Sequence, residues 1–401
     1  MIPKERLFSE GMIKMKKKLL VTASTFPRWE NDTEPRFVLD YAKAMKRYYD
    51  VTVLVPAATG AKDREILEGV KVIRYHYLPI HRFETLCYPG AIVPRIKEKK
   101  SRILLVPFLI ISLYWSLFRF LPRFDVVHAH WLIPQGVVQS LFNKKYIVTG
   151  HGGDVTSLNK GIIKKMKIRC LKKASAVTVV SEALKEEVIS LWPCNNLEVI
   201  SMGCDIHNFG RQYRVDNYFN QNNKKVILFV GRLAEKKGVS YLIEAIKQID
   251  AKLVIVGSGP LESELKKQSI GYEKKIQFLG PKTHEELREI YASADIFVAP
   301  SITAKDGDKE GFGLVLLEAM ASGLPVIGSN SGGIPSIVHH GKNGFLVKEK
   351  DVNGLIEKIK LLLCDEKLYF KLAQQAYKDV QQYDYQNIAK RYAKLIDSLN
   401  L

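Results

Sequence analysis

Twelve short runs of apolar, mostly β-branched residues recur along the chain, each closed at or near its end by Gly, Pro, Ser or His. They occupy 19–23, 51–55, 71–75, 126–129, 146–149, 176–180 and 198–200, then 226–230, 252–256, 276–278, 296–299 and 326–328. A run that is apolar throughout, without alternation, fits a parallel strand covered on both faces. Helical stretches separate the runs, and strand–helix alternation of this kind leads to doubly wound α/β sheets. A polar stretch at 203–223, rich in Asn and Gln, divides seven runs from five and reads as a linker. With 401 residues, two domains fit. We place them at 1–205 and 206–380, with a final amphipathic helix at 381–401 after the aromatic kink Tyr383-Asp384-Tyr385.

The charge is uneven. Residues 1–200 carry 33 Lys and Arg against 18 Asp and Glu, whereas 201–401 carry 28 against 24. The basic first half suits an anionic partner such as nucleic acid, lipid headgroups or a pyrophosphate-linked substrate, unless it only keeps the protein soluble. Five cysteines without a C-x-x-C pair give neither a zinc nor a disulfide framework, so a reducing cytoplasm is expected. The start of the chain is polar and basic, with Met12 and Met15 as alternative starts, and the apolar run after it is too short for a signal peptide. Residues 103–121 are apolar apart from Arg119 and contain Pro107. We read them first as a buried helix of the first domain, second as a helix lying on a membrane, and third as a span.

Ligands in open α/β sheets gather at the carboxyl ends of strands. After 226–230 come Gly231, Arg232, Lys237 and Gly238, two cations suited to phosphate between glycines that allow close approach. After 252–256 comes the turn Gly257-Ser258-Gly259, weak evidence alone. After 296–299 a polar loop leads through Glu310-Gly311-Phe312-Gly313 into a helix from Leu314 that carries Glu318. Free N–H groups at a helix start attract an anion, and a carboxylate one turn in can accept both hydroxyls of a ribose. Asp306-Gly307-Asp308 has the spacing of a metal motif but lies between Lys305 and Lys309, so we expect a solvated loop and no metal. Gly332-Gly333-Ile334-Pro335 forms another glycine turn.

In the first half, 126–129 leads to His130, and 146–149 leads to Gly150-His151-Gly152-Gly153-Asp154. We expect His128 and His130 to face opposite ways, with His130 lining the cleft. The loop after 19–23 carries Trp29 and Arg36, taken as acceptor-side residues.

Arg232 with Lys237, the glutamates seven residues apart, the run Glu-Ala-Met-Ala-Ser-Gly-Leu-Pro-Val and the Gly-Gly-Ile-Pro turn together resemble the family-4 retaining glycosyltransferases of group-1 type. The resemblance covers essentially the whole chain and is most specific from Gly231 to Gly344. It implies the GT-B architecture, two facing Rossmann-like domains with a cleft, and a final helix crossing back onto the first. It also implies that Arg232 and Lys237 neutralise the donor diphosphate, that Gly313 and Leu314 offer it backbone N–H groups, and that Glu318 holds the ribose. The base would lie near Gly257 and Gly280. Glu310 and His151 would contact the reacting sugar, with Asp154 orienting His151 or the acceptor.

The expected reaction moves a sugar from a nucleotide diphosphate to an acceptor hydroxyl with retention and without a cofactor or metal, in polysaccharide, lipopolysaccharide or glycolipid synthesis. The first loop lacks the two adjacent glycines common in the family. It resembles instead a Phe-Pro-Arg-Trp type found with polysaccharide or lipid-linked acceptors. The basic first half and residues 103–121 point to a lipid-linked acceptor at the inner face of an anionic membrane, and no nucleic-acid partner is expected. A sugar-nucleotide epimerase, a soluble sugar synthase or phosphorylase, and a non-catalytic binding module are the alternatives. The five residues Arg232, Lys237, Glu310, Glu318 and His151 weigh against the last.

Overall fold

The computed structural model describes residues 16–219 and 224–399. Residues 1–15, with Met12 and Met15, lie outside the described residues, as do 220–223 of the polar stretch. The first sheet contains β1 (Lys18–Thr22), β2 (Asp50–Pro56), β3 (Arg64–Leu67), β4 (Val70–Tyr75), β5 (Val126–His130), β6 (Tyr146–Gly150), β7 (Ala176–Val179) and β8 (Leu197–Val199). Its order is β3-β4-β2-β1-β5-β6-β7-β8. The second contains β9 (Val226–Val230), β10 (Lys252–Val256), β11 (Ile276–Gly280), β12 (Ile296–Ala299), β13 (Val326–Ser329) and β14 (Phe345–Val347), in the order β11-β10-β9-β12-β13-β14.

All twelve apolar runs form strands. Every pairing is parallel except that of β3 with β4. β3 escaped the pattern because it is a charged edge strand, Arg-Glu-Ile-Leu, with little to bury. β14 escaped because it is three residues long. Strand order reverses at β1 between β2 and β5, and at β9 between β10 and β12, which opens a crevice at the carboxyl end of each sheet.

The surrounding helices include α1 (Phe37–Met45), α2 (Ile92–Glu98), α3 (Val106–Phe120), α4 (Gly161–Lys173), α5 (Val239–Lys247), α6 (Leu314–Ala321) and α7 (Tyr385–Ser398). α7 packs with α1 on one face of the first sheet, burying Ile388, Tyr392 and Ile396 against Leu39 and Met45. The last helix therefore returns to the first domain. Asp384 caps its start by accepting the Gln386 N–H at 2.7 Å. Gly203 crosses so close to the Tyr385 ring that a Cβ there would lie 2.4 Å from it.

The polar stretch is not slack. Arg211 donates to the carbonyls of Ala292, Ala294 and Gly323 at 2.9–3.1 Å, which pins the connection to the second domain. A second correction concerns 103–121. Pro107 is accommodated in the first turn of α3, where no helical N–H is needed. The helix is not buried. Leu109, Leu113, Leu117 and Phe120 pack inward, while Phe108, Ile111, Trp115 and Phe118 face out. Both faces are apolar, so periodicity alone could not show that one has nothing over it.

Candidate active site

The second domain gathers its charges at the ends of β9 and β12. A short turn, Glu235–Lys237, follows β9 and ends at Gly238 in the left-handed region, φ +62°. A Cβ at Gly238 would sit 1.9 Å from the Pro300 carbonyl, so glycine lets this loop lie against the end of β12. That brings Lys237 Nζ onto Glu310 Oε2. Burial alone would push the Glu310 carboxyl up, but Lys237 and Lys236 outweigh it and hold it at about 2. Glu310 is ionised at any physiological pH.

α6 begins beside this pair, with Gly313 as its N-terminal cap at φ +102°. The Leu314 N–H at its start has no partner within the helix, whereas the Leu316 N–H already donates to the Gly313 carbonyl at 2.9 Å. Lys237, Glu310, Gly313, Ser301 and Phe229 border one small hollow. A larger open groove, lined by Arg211, Lys225, Asp295 and Tyr369, lies at the amino ends of β9 and β12 and holds none of these groups. Arg232 stands partly exposed, 3.7 Å from Glu98 on α2 of the first domain. Gly257 fits under the end of β9, where a Cβ would meet the Gly231 carbonyl at 2.1 Å. Its N–H donates to the Gly280 carbonyl at 2.8 Å, and Gly280 itself borders open space.

Glu318 lies one turn into α6 and accepts the Tyr291 hydroxyl at 2.7 Å. Burial pushes its carboxyl up to about 7, against the Tyr291 hydrogen bond and with help from Asp40. The folded state thus holds this proton more tightly than the unfolded chain, whose carboxyl has the ordinary 4.5. The stability so gained is complete below pH 4.5 and is lost as pH rises through about 7. Glu318→Gln should therefore raise Tm by a few degrees at pH 8, from on the order of 1–2 kcal/mol, and leave it nearly unchanged at pH 4.5. Scanning calorimetry at both pH values checks this, and equal shifts would count against it.

The first domain presents His151 after β6. Its Nε2 lies 2.9 Å from His130 Nδ1, and its Nδ1 lies 3.2 Å from Met202 Sδ. The ring packs between Phe37, at 5.2 Å, and Trp131, at 4.9 Å. Burial, then His130, depresses the His151 ring well below the usual imidazole range, and burial holds His130 at about 3. Both rings are neutral at pH 7.

The expected opposite facing of His128 and His130 is wrong, because residues two apart in a strand share a face. Their rings stack 4.3 Å apart. His128 is a satisfied core residue, bonded to Tyr41 and Thr149, each at 2.6 Å. His130 is buried and stands behind His151 rather than lining the cleft, its Nε2 without a partner. Trp131 adopts φ +74°, a strained conformation for a non-glycine residue. Sequence reasoning did not single out Phe37, Trp131 or Met202, since only the tertiary fold brings them around His151.

Asp154 touches backbone, not the His151 ring. Its oxygens accept the N–H groups of His151 at 3.0 Å, Gly152 at 2.9 Å and Leu132 at 2.8 Å. It is a positioning residue that holds the His151 loop. Asp154→Ala would orphan three N–H groups, costing about 2–4 kcal/mol and lowering Tm by roughly 5–10 °C. An unchanged melting curve would remove this role.

Trp29 is exposed, with the Arg28 guanidinium 4.3 Å from its ring. Arg36 is not a free cleft cation, because Glu68 holds it at 2.6 and 2.8 Å and Asp40 at 3.1 Å.

The two sides touch at glycines. A Cβ on Gly311 would lie 2.2 Å from the His151 carbonyl, and Ser181 Oγ donates to the Gly311 carbonyl at 2.9 Å. Asp306 pairs with Lys97 of the first domain at 2.5 Å, and Asp308 with Lys236 at 3.1 Å, so lysines engage both carboxylates of that loop. Among the described residues, His76, His81 and Glu84 also cluster. The His76 and His81 rings are parallel within 8°, so their in-plane nitrogens do not converge, and His76 is instead paired with Glu84 and Asp63.

Comparisons with known proteins agree with this arrangement. Residues 35–208 match the family described as Glycosyltransferase Family 4, and residues 214–379 match Glycosyl transferases group 1. An uncharacterized glycosyltransferase of Methanocaldococcus jannaschii is 33% identical over 67% of this chain and 74% of its own. N-acetyl-alpha-D-glucosaminyl L-malate synthase of Bacillus anthracis is 28% identical over 67% and 73%. Among solved structures, sucrose-phosphate synthase of Thermosynechococcus elongatus superimposes with a TM-score of 0.76 at 22% identity, covering 96% of this chain and 99% of that one. HepE of Anabaena, solved with UDP-glucose, gives 0.72 at 21%, covering 95% and 100%. The two facing α/β domains, the crossing helix and the sequence matches agree, and the chain belongs to the family-4 glycosyltransferases of the GT-B fold, as a nucleotide-sugar-dependent enzyme.

Proposed function

We propose that the chain transfers a sugar, with retention, from a nucleoside diphosphate to an acceptor hydroxyl during polysaccharide, lipopolysaccharide or glycolipid synthesis. The observation that carries this reading is the Lys237–Glu310 pair at the start of α6, set against the His151 loop across the Gly152–Gly311 contact. In this reading the second domain, 206–380, binds the donor and the first domain, 1–205, the acceptor. Arg232, Lys237 and the α6 N–H groups take up the charge that develops on the leaving diphosphate, in place of a metal. The bond from the anomeric carbon to the phosphate oxygen breaks and the bond to the acceptor oxygen forms on the same face. The acceptor proton passes to the departing phosphate oxygen. Glu310, held ionised, stands beside the reacting sugar, and Glu318 accepts the ribose hydroxyls.

A UDP-sugar is the first donor to test, since the HepE structures of the same fold contain UDP or UDP-glucose. GDP-mannose follows, named for a Mycobacterium tuberculosis relative 30% identical over 55% of this chain. The biosynthetic relatives of Erwinia amylovora and Salmonella typhimurium, an amylovoran and a putative colanic acid glycosyltransferase, favour a glycan acceptor. We place the enzyme in the cytoplasm, peripheral on the inner membrane face, with a lipid-linked acceptor. A thermal-shift panel of nucleotide sugars, followed by NMR of the product anomer, tests the reading. A donor that raises Tm and yields the retained anomer supports it, whereas an inverted anomer, or no shift with any nucleotide sugar, sinks it.

A further inference from the structure

α3 exposes Phe108, Ile111, Trp115 and Phe118 at 50–60% each, and Ile103 and Leu104 just ahead of it at 58% and 70%. Single exposed apolar residues are ordinary, but six on one helical stretch mark an interaction surface. The stretch Lys100–Arg123 is long and apolar enough to cross a bilayer, yet its inner face is already in use. Leu109, Leu113 and Leu117 are fully buried in the core of the first domain. Spanning would strip that core, whereas lying flat would not.

The surroundings name the partner. Residues 92–173 hold 16 Lys and Arg against 3 Asp and Glu, a balance of +13 out of the chain's +19. Lys99, Lys100 and Arg123 flank α3, and Arg119 lies in its last turn. Apolar anchors with a Trp, rimmed by cations, suit the headgroup layer of an anionic bilayer. A second copy of this chain suits it poorly, because two such basic stretches would meet face to face.

We propose that the outer face of α3, with its basic rim, docks flat on an anionic phospholipid bilayer. This deepens the lipid-linked-acceptor reading, on which its purpose rests. α2, next to α3 in the chain, carries Lys97 and Glu98, which reach Asp306 and Arg232 across the cleft. The docked face therefore adjoins the cleft mouth, and an acceptor anchored in the bilayer has a short path to the donor.

The test is co-sedimentation of the full chain with vesicles of phosphatidylcholine alone or with about 30% phosphatidylglycerol, at about 0.1 M salt. The expected result is at least tenfold tighter binding to the anionic vesicles, weakening with salt. Phe108→Gln/Trp115→Gln/Phe118→Gln and, separately, Lys99→Gln/Lys100→Gln should each lose binding, the first at least tenfold. These side chains are exposed, so both variants should keep the wild-type Tm. Wild-type protein left in the supernatant at millimolar lipid overturns the proposal, as does equal binding to neutral vesicles. Resistance to alkaline carbonate extraction would replace docking by a span. A wild-type dimer that the triple variant dissociates, without vesicle binding, would assign the face to self-association. Vesicle binding without any donor-induced shift would leave docking standing and remove the transferase reading.

Discussion

Lys237→Ala should lower kcat/KM for sugar transfer by about 10³-fold or more. The reason lies in two roles that one ammonium fills. In the free protein it offsets the buried Glu310 carboxylate, and with donor bound it stands where the leaving diphosphate gains charge. Removing it leaves Glu310 desolvated without its partner, and the carboxyl should then climb from about 2 toward protonation. A loss of activity could come from either effect. Lys237→Ala/Glu310→Gln separates them, since it removes the orphaned charge as well. If the diphosphate role holds, the double variant recovers Tm but still binds the nucleoside diphosphate as weakly as Lys237→Ala, a readout that does not depend on Glu310 meeting the sugar. Steady-state transfer with a radiolabelled donor provides the measurement, and near-normal turnover in Lys237→Ala would refute the assignment.

Gly311→Ala should cut turnover by about 10²-fold while leaving the fold of each domain intact. Gly311 has no left-handed φ that would penalise a side chain. The obstacle is the other domain. A Cβ would meet the His151 carbonyl at 2.2 Å and the Gly152 Cα at 3.2 Å, both backbone atoms that cannot swing away. The two loops must part, and the reacting sugar and its acceptor part with them. Donor affinity, which rests on the second domain, should change much less than kcat. A substitution that instead abolished donor binding at unchanged kcat would mean that Gly311 shapes the donor pocket and not the apposition.

Most of the strand pattern was legible because a strand covered on both faces must be apolar throughout, and that signature is local. β3 and β14 were not legible, one being charged and the other too short. The individual site residues were legible too, as glycine turns and charges at strand ends. Their working relations were not. Lys237 and Glu310 lie 73 positions apart. Asp154 could be read as a partner of the His151 ring, but three backbone N–H groups claim it. Arg36 reads in sequence as a cleft cation, but Glu68, 32 positions away, holds its guanidinium.

Two doubly wound domains, the strand ends that carry chemistry and a basic first half are all written in local stretches of the chain. Each follows from patterns within a few dozen residues, because burial period, glycine turns and charge are properties of short segments. Which charges meet, the place of His130 behind His151, and the uncovered apolar face of α3 emerge only when the chain has folded. Those outcomes depend on which surfaces segments far apart in the chain present to each other. An apolar residue carries no mark of whether another element will cover it.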